Sequence, residues 1–122
     1  MDGLGYLRRA QQNYIQYNVE SRFHVTKPTK SEENGEVDVV LFKGWYGDIW
    51  MSTREEFNKM CDMSGSDYRI NESNILFELH DPEVVNRIYN CVVLGFLCEE
   101  RYDITLEKVI NILEKKNELI LK

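Results

Sequence analysis

The 122 residues are 43% apolar and 30% charged, with two prolines and 15 basic against 21 acidic side chains, for a formal net charge of −6. Such values describe one ordinary globular domain, and at this length folding hides roughly two-thirds of the unfolded chain's surface, enough for a core without metal or disulfide staples. No apolar run approaches the ~20 residues of a bilayer span; the longest, Cys91 to Cys98, has the length of a buried helix segment.

The first ten residues lack the apolar stretch and small-residue cleavage site of a secretory signal, so a cytoplasmic location and no membrane partner are expected. Cys61, Cys91 and Cys98 are odd in number and sit among apolar residues without C-x-x-C spacing. They read as reduced core thiols. One alanine against ten asparagines, nine isoleucines and eight lysines is the bias of an AT-rich gene, as in low-GC bacteria and their phages.

In chain order, Leu4, Leu7 and Tyr14 predict a helix over about 3–13. From Ile15 to Val25 apolar and polar residues alternate at a period of two, which predicts a strand within about 15–26. Pro28 to Gly35 reads as a long hairpin loop leading to a strand over Val37–Phe42. Gly44 and Gly47 bracket Trp45 and Tyr46, so a turn or bulge should precede a third strand at Asp48–Met51.

Ser52-x-x-Glu55 and Thr53-x-x-Glu56 both fit a capping box and open a short helix to about Met63. Tyr68-Arg69-Ile70 and Ile75–Leu79 look like a second hairpin. Asp81-Pro82-Glu83 combines an N-cap acceptor, a proline where no amide hydrogen is needed and a carboxylate at the positive end of the helix dipole. The helix that follows, 82–100, is apolar most of the way round in its second half and reads as the central core helix. Gly95 inside it predicts a backbone passing close by.

Thr105 is a plausible N-cap for a final amphipathic helix over 105–120, its stripe formed by Leu106, Val109, Ile110, Leu113 and Ile120. Strands and helices do not alternate as β-α-β units, so the expected fold is a single α+β domain. It has an antiparallel sheet of four or five short strands against two C-terminal helices, with an N-terminal helix and one short inserted helix.

No catalytic or cofactor pattern stands out. The two histidines, His24 and His80, have bland positions, on the polar face of a strand and just before a helix cap. An enzyme reading would need one of them in a cleft beside a carboxylate or thiol. Asp62 beside Cys61 raises rather than lowers a thiol pKa. Metal ligands would have to be gathered from separate elements, and no glycine pattern fits a phosphate loop; no cofactor is expected.

Charge is unevenly spread: +3 over residues 1–30, −10 over 31–100 and +1 over 101–122. Arg8, Arg9, Arg22, Lys27 and Lys30 near Tyr14 and Tyr17 give a small nucleic-acid signal, opposed by the acidic middle. Nucleic acid is therefore not the expected partner.

Lys43 to Trp50 is the most informative segment. In an extended chain Trp45 and Ile49 face one way and Tyr46, Asp48 and Trp50 the other, so one covered face cannot hide every ring. Trp and Tyr dominate binding hot spots. Trp45, Tyr46, Asp48 and Trp50 are thus candidate contacts for a protein partner, against the plainer reading that the rings are core. The expected function is a non-enzymatic protein-binding module. By analogy of size, charge and coding bias it suits a phage or mobile-element inhibitor of a host system, an anti-defence or immunity-type protein. The alternative is a small-ligand, nucleotide-like binder or sequestering protein, with a homo-oligomer allowed and a pocket of Trp50, Tyr68 and Arg69.

Overall fold

The computed structural model describes residues 3–20, 22–26, 37–64 and 70–121, the side chains of 64 and 116–121 aside. Its organising unit is a tight hairpin. Strand β2 (Val39–Lys43) turns through Gly44–Asp48 into β3 (Ile49–Thr53), antiparallel from Val39 opposite Thr53 to Lys43 opposite Ile49. On the other edge of β2 lies β4 (Ile75–Leu79), also antiparallel, with a register shift between Leu41 and Phe42. Asn74, buried beside this irregularity, donates to the Lys43 carbonyl at 2.8 Å.

The fourth strand, β1 (Phe23–Val25), pairs parallel with β3, giving the order β1-β3-β2-β4. The α+β class and a four-stranded sheet match expectation, but the sheet is mixed, not wholly antiparallel. The two segments expected to form a hairpin across 28–35 do not pair with each other. The short β2–β3 connection closes at little entropic cost and takes one edge of β2, while β4 takes the other. β1 pairs with the outer edge of β3, which runs in the same direction.

Helix α1 (Gly3–Tyr17) runs past its predicted end, and β1 is correspondingly shorter. Asn18 has a positive φ of 54° and its N–H bonds the Tyr14 carbonyl, a left-handed helix stop suited to asparagine. Alternation over 15–19 is therefore not a burial pattern: Ile15, Tyr17 and Val19 are exposed. Gln11 ties α1 to the last helix, α4 (Tyr102–Leu121), by donating to the Asp103 carbonyl at 2.9 Å and to Glu107 at 2.8 Å.

Helix α2 (Arg54–Ser64) is capped by Thr53, whose Oγ1 accepts from the Glu56 N–H. Half of the predicted box forms. The Glu56 carboxylate accepts instead from Thr26, and Ser52 is buried within β3. Helix α3 (Pro82–Leu97) starts as predicted, Asp81 accepting from the Glu83 N–H with Pro82 opening the helix. Helix α4 begins three residues before Thr105, which is buried and fills the space beside Gly95: a Cβ there would lie 2.7 Å from Thr105 Oγ1. The close neighbour of Gly95 is thus a side chain, not a backbone.

The sheet is covered unequally. On one face Phe23, Val39, Leu41, Ile49 and Met51 join Leu7 of α1, Val85, Ile88 and Val92 of α3 and Leu106 and Val109 of α4 in the main core. On the other, Val40 and Phe42 pack under Phe57 of α2, with Trp50 at the margin. Eleven residues of α2 do not span this face, and its cover ends near β1. Nor is the second half of α3 buried all round, since Leu94, Phe96, Leu97 and Cys98 are exposed. Cys98 is therefore not a core thiol; Cys61 and Cys91 are half-buried. No described helix is long and apolar enough to cross a membrane.

Candidate functional site

The β2–β3 turn is built by its glycines. The Gly44 N–H donates to the Asp48 carbonyl at 2.7 Å and the Gly47 N–H to the Gly44 carbonyl at 3.2 Å. Gly47 has φ +84°, a left-handed conformation disfavoured for residues with a Cβ. A three-residue hairpin loop of this kind places Trp45 and Tyr46 at its apex. They do not alternate as strand residues would: both are solvent-facing, Trp45 at 59% and Tyr46 at 84% exposure. The turn is anchored from behind by Tyr6 of α1, whose hydroxyl donates to the Gly47 carbonyl at 2.9 Å. Burial, with Asp48 nearby, raises the Tyr6 phenol pKa, keeping that donor protonated.

Trp50 takes the opposite path. Across the sheet it is paired in register with His24 on β1 and Phe42 on β2. The His24 ring stacks on it at 4.2 Å between centroids, the Phe42 ring lies 6.1 Å away on the other side, and Phe42 in turn meets Phe57 edge-on. Flanked in this way, the indole offers no open face for stacking a ligand.

Asp48 gathers this row. Its Oδ2 accepts from Trp50 Nε1 at 2.9 Å and lies 3.0 Å from His24 Nε2. Its Oδ1 is buried with no hydrogen-bond partner among the described residues. Gly44 allows this packing, because a Cβ there would collide with Asp48 and stand 2.9 Å from Trp50 Nε1.

Three recesses open around Tyr46 and His24. One, of about 310 Å³, lies between Tyr6, Arg9, Val19 and Tyr46; a second, of about 400 Å³, between Arg22, His24, Tyr46 and Asp48; a third, of about 380 Å³, between Arg22, His24, Phe96 and Tyr102. Glu20 lines all three. Comparison with family models, with curated proteins and with solved structures finds no match to this chain. The site rests on its own geometry.

Of the residues singled out in the sequence, Trp45 and Tyr46 stand together at the surface, while Asp48 and Trp50 form the wall behind them. Tyr68 and Arg69 lie outside the described residues, as does any strand at 68–69. His80 has the plain position expected, its Nδ1 3.2 Å from the Val37 carbonyl. His24 is the residue that local reading undervalued. It sits in a recess 3.0 Å from the Asp48 carboxylate, the placement that an enzyme reading requires of a histidine. Its partner could not be read locally, because only the parallel β1–β3 register brings it to Asp48.

Proposed function

We propose that this chain is a non-enzymatic protein-binding module that docks through the Trp45–Tyr46 turn and blocks or regulates a macromolecular partner. One observation carries the reading: two large aromatic side chains stand exposed at the apex of a turn whose backbone is bonded on both sides. Rigid presentation lowers the entropy lost on binding, and Trp and Tyr are the side chains most enriched among energetically dominant contacts. Exposed Phe96, which lines the third recess, and Leu97 at the end of α3 supply further apolar surface. A phage or mobile-element inhibitor remains the biological setting that size and charge suit.

The test is affinity capture from lysates of candidate host cells by the parent protein, by Trp45→Ala/Tyr46→Ala and by Met63→Ala, which removes an equally exposed side chain from α2. The reading expects a partner captured by the parent and Met63→Ala and lost by the double variant. Identical capture by all three would refute it. A second reading, a small-ligand binder, is favoured by the recesses beside His24.

A further inference from the structure

We propose that the recesses around Tyr46 and His24 form a binding site for a nucleoside monophosphate. The inference rests on the small-ligand reading and is independent of docking at Trp45. Three charged side chains line this surface without an ion-pair partner among the described residues: Arg9, Glu20 and Arg22. Arg8 is engaged with Glu114, Arg54 with Glu72 and Glu78, and Arg101 with Asp103, while Arg87, on α3 away from the recesses, has no ion pair among the described residues either. Arg9 and Arg22 line two recesses that share the exposed Tyr46. Guanidinium groups favour phosphate through paired, charge-assisted hydrogen bonds, and an exposed tyrosine ring is a platform for a base.

Acceptors complete the set. The contact with Asp48 engages His24 Nε2, while Nδ1 of the same ring has no partner among the described residues. The Glu20 carboxylate can take hydrogen bonds from sugar hydroxyls or a base amino group, and a hydroxyl can pair with Nδ1 in either role. A bare anion would leave Glu20 repelling it, and an uncharged aromatic would leave both arginines unused. A nucleoside monophosphate uses every group. Each recess, at about 310 to 400 Å³, is of the size that holds small organic ligands. The net charge of −6 and the central Glu20 oppose a longer polyanion.

The experiment is calorimetric titration and thermal unfolding of the full chain at fixed ionic strength. The probes are AMP, GMP, CMP and UMP, with inorganic phosphate, adenosine and a single-stranded decanucleotide as comparison. At least one monophosphate is expected to raise the melting temperature progressively with concentration. It should bind at least about tenfold more tightly than phosphate or nucleoside alone. Arg22→Ala and Tyr46→Ala should each weaken it about tenfold, while Arg87→Ala, on the exposed side of α3, leaves it unchanged. No binding of any monophosphate, equal binding of phosphate alone, tighter binding of the decanucleotide, or parent-like affinity in both recess variants would each overturn the proposal. Trp45→Ala separates the two readings: it should abolish partner capture and leave nucleotide affinity intact.

Discussion

His24 lies on Trp50 with their ring centroids 4.2 Å apart, and both rings meet the same oxygen of Asp48. The two tryptophans of the β2–β3 hairpin therefore have different energetic roles although only four residues separate them. Trp50→Ala removes an indole packed between His24 and Phe42 and leaves Asp48 short of a donor. It should cost about 2–4 kcal/mol. Trp45→Ala, at an exposed apex, should stay within about 0.5 kcal/mol of the parent. Urea denaturation followed by circular dichroism checks both, and equal stabilities would contradict the packing described for Trp50.

Gly95 and Thr105 form a second testable pair. In the parent, Gly95→Ala sets a methyl group 2.7 Å from Thr105 Oγ1, and overpacking of that kind should destabilise by about 1–3 kcal/mol. With Thr105→Ala already present the obstruction is gone, and the same change should stabilise by up to about 1 kcal/mol through helix propensity. A double-mutant cycle measures this reversal of sign. Additive effects would place the two residues out of contact.

Arg101 donates two hydrogen bonds to Asp103, at 3.0 and 2.7 Å. These hold the Asp103 carboxyl below its usual range, outweighing the desolvation that acts in the opposite direction. A carboxylate whose pKa is depressed on folding contributes stability above its unfolded pKa, near 3.9, and loses it as the pH falls through the folded value. Arg101→Ala should therefore unfold at lower urea than the parent at pH 7. The two midpoints should converge below about pH 4, and a gap persisting in strong acid would show that Arg101 acts by packing instead.

The cysteines should separate by reactivity. Cys98 is exposed at the end of α3. Burial pushes the Cys61 and Cys91 thiols up, with Glu72 and Asp62 adding to the effect at Cys61. Iodoacetamide at neutral pH should label Cys98 first and the other two slowly, as read by peptide mass spectrometry, whereas denaturant should level the rates. Preferential labelling of Cys61 would mark an activated thiol at α2.

What the sequence determined by itself was local. Asp81 and Pro82 start α3 because a cap needs only a neighbouring amide, and Gly44 and Gly47 fix the turn because left-handed backbone and close packing need no distant partner. That logic put Trp45 and Tyr46 at a bend, though not both outside. Asn18 stops α1 by an equally local device, which the alternation of 15–25 concealed.

Tertiary structure decided the rest. Whether an alternating segment is a strand depends on what covers one of its faces, and residues 15–19 are exposed on both among the described residues. The place of β1, on the outer edge of β3 rather than of β4, is settled between non-local contacts that periodicity does not record. His24, Asp48 and Trp50 meet only through that pairing. The recesses beside them are lined from α1, the segment leading into β1, the β2–β3 turn and the α3–α4 corner, which only the assembled layers bring together.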